Sequence, residues 1–230
     1  MGRPMPGAAR EHRTPNSGRN NHRPLESLNM PNSFPKPFTM PVGLELDDQL
    51  AYAVGNLVAH WANCESVFYG FYASMVQGAN RQSQITWLNI RNSSARVDLT
   101  VRLASASNLS PVLVRKIQQH AKDFKAISKT RNFFCHGMYR INTTTGALAS
   151  VVSSQLVADD RVWVEDERPL SKGLVNEVVC ASNKAMTLNE DMWPTLLAAK
   201  DELKAQHLEL PEGVHEYLQR TKSQRPRGDG

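Results

Sequence analysis

The chain has 230 residues, 40% of them hydrophobic and 7% aromatic, and a formal net charge of +5. That supplies one ordinary domain with a real core, and no apolar run approaches the roughly 18 residues of a membrane span. The cysteines Cys64, Cys135 and Cys180 form neither an even disulfide framework nor a closely spaced metal knuckle, which points to a reducing compartment and a cytoplasmic protein.

Charge divides the chain into three parts. Residues 1–43 carry five Arg and one Lys against Glu11 and Glu26, a net +4, and residues 219–230 carry a net +3, so the remainder is −2. The basic balance belongs to the ends. Residues 1–43 also hold eight of the thirteen prolines. Each proline removes a helix donor and restricts its predecessor, so this segment reads as a disordered basic arm. It has arginines but no apolar h-region, which is not the pattern of a secretory signal. Residues 211–230 read as a flexible basic tail, and 44–210 as the folded unit. A basic tail can hold a polyanion through counterion release; equally, it can be a solvated surface segment.

Within the folded unit, 45–78 predicts the clearest helix. Leu50, Val54, Leu57, Trp61, Cys64, Phe68, Phe71 and Met75 recur at spacings of four and three, the seam of a helix packed nearly parallel or antiparallel to others in a bundle. Gly55 is a place where it can bend, and the Gln77–Asn80 segment ends it. A second helix is predicted over 83–106, with Ile85, Leu88, Ala95, Leu99 and Leu103 inward. Ser110 and Pro111 read as N-cap and first residue of a third helix. Its inward stripe is Leu113, Ile117, Ala121, Phe124 and Ile127, and Gly137 follows as C-cap.

After Gly137 the period changes. MYRIN, ALASVVSSQL and RVWVED read as three short strands within about 138–166, with Val162 and Val164 alternating in the last. Helical spacing returns over 171–188 and 189–208, with Pro194 marking a join. The expected architecture is mainly α: a helical bundle with a small β-strand insertion after the third helix.

RNFFCHG at 131–137 is the most informative stretch. Continuing the stripe beyond Ile127 brings Arg131 onto the apolar face, where an arginine needs a partner or a solvated pocket. Asn132 and His136, four residues apart, share the adjoining face. One patch then offers a guanidinium, an amide and an imidazole. Glu65, beside the helix-one seam, is the expected carboxylate partner of Arg131, with a solvated flank position as the alternative. The chain holds a second Arg-x-x-x-x-His spacing, Arg115 to His120, but there the arginine lies off the stripe, no amide follows it and no glycine closes the helix. No histidine pair has metal-ligand spacing, and no metal or cofactor is expected. Neighbours on a helix point about 100° apart, so Cys135 and His136 do not make a thiol nucleophile and base.

These segments, WANCESVF on the first helix and RNFFCHG on the third, resemble the HEPN superfamily over roughly 45–137, with a final helix completing the bundle. The resemblance implies a metal-independent endoribonuclease that works as a homodimer on RNA, as a toxin, a defence effector or an RNA-processing enzyme, or else a relative that has lost activity and only binds. It matches Arg131 and His136 to the catalytic pair and Asn132 to the polar residue beside the arginine. One toxin subgroup of that superfamily carries a tyrosine two residues after the histidine, the target of nucleotide transfer by an antitoxin. Tyr139 stands three residues after His136, and the strands that follow also depart from the minimal bundle.

Overall fold

The computed structural model describes residues 39–76, 81–157 and 162–208. Most of the proline-rich arm, the basic tail, the segment expected to end helix one and the side-chain alternation at Val162 and Val164 lie outside the described residues. The elements in chain order are α1 (Leu46–Met75), α2 (Arg81–Asn89), α3 (Ser93–Ala106), α4 (Pro111–His136), β1 (Met138–Ile141), β2 (Leu148–Val157), β3 (Val162–Pro169) and α5 (Lys172–Leu208). The described protein is mainly helical, with one three-stranded sheet.

The α1 seam is the spine of the core. Leu50, Leu57, Trp61, Cys64, Phe68 and Phe71 are buried, and Val54 and Met75 pack against them. Asp47 and Asp48 in the first turn complement the positive end of the helix dipole. The helix runs unbroken through Gly55, which has open space beside it. Its longest partner is α5. At Gly70 a Cβ would meet Leu196 Cδ2 at 2.7 Å, so the absent side chain lets the two helices close. His60 Nδ1 lies 3.1 Å from both the carbonyl and the hydroxyl of Ser182, and Cys64 Sγ donates to the Ala185 carbonyl at 3.1 Å. Burial pushes the Cys64 thiol up to about 12, which leaves it a packing group and not a nucleophile.

The helix expected over 83–106 is two helices. Asn92 breaks it, its side chain accepting from the backbone N–H groups of Ser94 and Ala95 at 2.8 and 3.3 Å and capping α3. The break resets the phase. Ile85, Leu88 and Ala95 are exposed, and Trp87, Val97, Thr100 and Ala104 are buried instead, with Leu99 and Leu103 half-buried.

The α4 stripe follows the expectation: Leu113, Ile117, Ala121, Phe124 and Ile127 are all buried. Ser110 and Pro111 take the N-cap and first positions, although the Ser110 hydroxyl makes no capping bond. Gly137 ends α4 in extended conformation, with φ −74° and not in the left-handed region of a glycine cap. Glycine is needed there for space: a Cβ would meet the Phe133 carbonyl oxygen at 2.6 Å and Val151 Cγ1 at 2.9 Å. The chain turns from helix directly into β1 under β2.

The sheet is an antiparallel meander in the order β1-β2-β3. The β1–β2 turn uses Gly146 at φ +72°, where a side chain would be strained. Asn142 Oδ1 accepts from Thr144 and Thr145. Val151 is buried in the core of the bundle, and its neighbour Val152, which points to the other face of the sheet, is buried as well.

Helix α5 continues through Pro194, where two helices with a join are expected. An interior proline costs about 3 kcal/mol. Burial of Met192, Thr195, Leu196 and Ala199 on either side of it outweighs that cost, at about 1.5–3 kcal/mol for each large apolar side chain. No described helix is long and apolar enough to cross a membrane.

Candidate active site

The last two turns of α4 split their residues between core and surface. Phe133 and Phe134 are buried, whereas Asn132, Cys135 and His136 are exposed and Arg131 is half-buried. Phe133 and Phe134 anchor the helix end under the sheet and so present the other side chains outward.

Arg131 is fixed by an aromatic floor. Its guanidinium carbon lies 4.5 Å from the Trp61 ring centroid, within cation–π range. Nη1 donates to Asn132 Oδ1 at 2.9 Å, and Nε is shielded without a hydrogen-bond partner. Trp61 is fixed in turn, since Nε1 donates to Ser128 Oγ at 2.8 Å and the indole stacks on Phe124 at 5.1 Å between centroids. Among the described residues, Arg131 has no carboxylate partner.

The expected Glu65–Arg131 pair is not made. Glu65 Oε1 accepts from Arg96 Nη1 at 3.1 Å, so Glu65 serves helix α3. Arg96 reaches further, donating from Nε to the Ile90 carbonyl at 2.6 Å and lying 5.5 Å from the Trp87 ring centroid. Arg96 thereby binds the α2–α3 turn to α1. Arg131 tolerates its position without Glu65 because it is only half-buried and rests on the electron-rich face of Trp61.

Two grooves meet at the end of α4, and Lys129, Asn132 and His136 line both. The first, about 500 Å³, runs from Trp61 and Arg131 to the start of α3. Arg91, Lys125, Lys129 and Arg131 line it and no carboxylate does. The second, about 530 Å³, lies toward the sheet and holds Asp166, Arg168 and Glu177. There Arg168 lies 4.0 Å from the Phe133 ring centroid and bonds Asp166 at 2.8 Å and Glu177 at 2.9 Å. The end of α4 is therefore a ridge with a basic groove on one flank and a charge-balanced one on the other. His136 stands on the ridge with no hydrogen-bond partner among the described residues.

The second Arg–His spacing does not converge. Arg115 is exposed, while His120 lies in a larger cleft of about 730 Å³ between α4 and α5 that Arg115 does not line. His120 Nε2 is 3.1 Å from Thr195 Oγ1. Burial lowers its pKa from the ordinary 6.5, with Lys116 acting in the same direction and Asp191 and Asp123 opposing.

Tyr139 is not part of either groove. Its hydroxyl donates to the Phe134 carbonyl at 2.8 Å, satisfying one of the last carbonyls of α4, and burial raises its pKa. Four groove residues escape a reading of the motif alone: Arg91, Lys125, Lys129 and Arg168. Lys125, Lys129, Asn132 and His136 follow one another at four, three and four residues, so the outer stripe of α4 announces Lys125 and Lys129. Arg91 and Arg168 come from distant elements.

Comparison with protein-family models, with curated proteins and with solved structures yields no match for this chain.

Proposed function

We propose that this protein is a metal-independent endoribonuclease of the HEPN type, acting as a homodimer in the cytoplasm as a toxin or defence effector. The observation that carries the reading is the groove at the end of α4, where Arg131 without a carboxylate partner and exposed His136 stand beside further cations and no acid. A phosphodiester entering that groove meets donors and no repulsion.

The chemistry follows from these groups. The histidine of one chain takes the proton of a ribose 2′-OH, and that oxygen attacks the adjacent phosphorus. As the O2′–P bond forms and the P–O5′ bond breaks, negative charge builds on the non-bridging oxygens. Arg131 stabilises it with planar donors. The leaving 5′ oxygen takes a proton from a second histidine, and the products are a 2′,3′-cyclic phosphate and a free 5′-OH. An imidazole, with an ordinary pKa of about 6.5, suits both transfers. One chain offers one such set, and a dimer placing two RNFFCH segments along one groove offers two. Light scattering that finds only monomer where RNA is cut refutes the dimer.

A second reading is a HEPN-like interaction module without activity, in which Arg131, Asn132 and His136 form a structural cluster. The bond from Arg131 to Asn132 and the stack on Trp61 favour it. The test is incubation of the purified protein with total RNA in EDTA, with the product ends identified. Cyclic phosphate ends that vanish in His136→Ala and persist in His120→Ala support the nuclease. Equal behaviour of the two variants moves the assignment to the binding module. An inhibitory antitoxin partner belongs to the toxin form of the first reading.

A further inference from the structure

We propose that the basic groove is a second phosphate subsite, built on Arg91, which holds the phosphodiester next to the one at Arg131 and His136 and lays a single RNA strand along the α3 side of the ridge. The inference rests on the ribonuclease reading for the chemistry at Arg131 and His136, and on the groove itself for the subsite.

Most of the groove's charge is uncompensated. Lys125 is paired with Asp98, but the guanidinium of Arg91 and the ammonium of Lys129 have no partner among the described residues. Like charges gathered in one cleft repel one another and raise the local potential for an anion. The first turn of α3 opens on the same space through Ser93 and Ser94. Asn92 already takes the N–H groups of Ser94 and Ala95, so that helix end adds field more than direct bonds.

The opposite flank cannot do this. Its guanidinium, Arg168, is spent on Asp166 and Glu177, whose carboxylates repel a phosphate. A strand crossing the ridge at His136 therefore has one favourable side.

Arg91 is also well mounted. The Ile90 carbonyl beside it is held by Arg96, and Arg96 by Glu65 on α1. Trp61, also on α1, carries Arg131. The backbone beside Arg91, in the α2–α3 turn, and the guanidinium of Arg131, on α4, are thus both braced against α1.

The test uses the full chain and a short single-stranded RNA with 2′-O-methyl on every ribose, which cannot be cleaved. Affinity is measured across salt concentrations for the parent, Arg91→Gln and Arg115→Gln, and circular dichroism melting verifies that each variant is folded. Loss of one phosphate contact lowers the slope of log affinity against log salt by about 0.7, and loss of a charge-assisted bond weakens binding by about tenfold. We expect both in Arg91→Gln and neither in Arg115→Gln, whose exposed arginine lies outside the groove. Equal binding by the two variants overturns the subsite. So does Arg91-dependent binding of inorganic phosphate that the oligonucleotide does not exceed, since the groove then takes a small anion and not a strand. Total RNA in EDTA separates this from the ribonuclease reading. Arg91-dependent binding without cleavage keeps the subsite and removes the nuclease, and cleavage with Arg91-independent binding does the reverse.

Discussion

The guanidinium of Arg131 rests on the indole of Trp61, 4.5 Å from its centroid, and Trp61 is held in place by Ser128 and Phe124. The stack orients a charge without neutralising it, as a carboxylate partner would. It also divides two roles that variants can separate. Arg131→Lys keeps the charge and loses the planar donors, and we expect cleavage to fall by about 10²–10³, the usual effect of removing an oxyanion donor. Trp61→Phe keeps an aromatic face and loses the bond to Ser128, costing about 1 kcal/mol of stability and a smaller part of the activity. Rates in EDTA beside urea titrations of both proteins decide this; a Trp61→Phe protein as inactive as Arg131→Lys contradicts it.

Glu65 and Arg96 form a pair whose side chains are 18% and 16% exposed. That is less than full burial, so removing one partner is expected to cost about 2 kcal/mol, below the range for fully buried pairs. A double-mutant cycle with Glu65→Gln and Arg96→Gln is expected to show coupling of about 1 kcal/mol. The same cycle between Glu65 and Arg131 is expected to show none, and coupling there means that the two residues do meet.

Gly137→Ala places a methyl against the Phe133 carbonyl and Val151. Both are anchored, so the helix end and the sheet must separate. A loss of about 1–3 kcal/mol is expected, the usual range for overpacking. The ridge at Asn132 and His136 shifts with them, so the proposed RNA cleavage is expected to fall as well. Urea midpoints equal to the parent's contradict the close approach.

The depressed pKa of His120 makes a pH prediction. Burial favours its neutral form in the folded protein, so the unfolded chain binds the proton more readily. Stability from this group is fully present above the ordinary value of 6.5 and is lost as the pH falls through the folded value below it. His120→Gln is expected to flatten the decline on the acid side. An unchanged pH profile of the melting temperature in His120→Gln assigns that decline to other groups.

Residues 1–38 carry all of the arm's net +4, while Met40 packs against the core. Deleting 1–38 is expected to loosen RNA binding and flatten its salt dependence by counterion accounting, with the cleavage products unchanged. Filter binding at two salt concentrations measures the first, and product-end analysis the second. A truncated protein with the parent's salt slope shows that the arm does not touch the nucleic acid.

Local sequence determined a good deal of this molecule. The four-three spacing of α1 and the stripe of α4 settle which faces are buried, because apolar periodicity is itself the burial pattern. The change of period after Gly137 likewise marks where helix gives way to strands. The helix expected over 83–106 is two helices because the Asn92 cap, a purely local signal, prevails over a plausible apolar stripe. Pro194 shows the opposite case, in which packing on α1 and α4 overrides a local breaker, and no nearby residue announces that. At the site, the sequence brought Arg131, Asn132 and His136 together because they share one helix end. It could not decide the partner of Glu65, which depends on which neighbouring helix lies against that side of α1. Nor could it bring Arg91 to the groove or place Asp166, Arg168 and Glu177 on the opposite flank. Those positions come from elements separated along the chain, and only the packed bundle determines how far apart they stand and which charges are left without a partner.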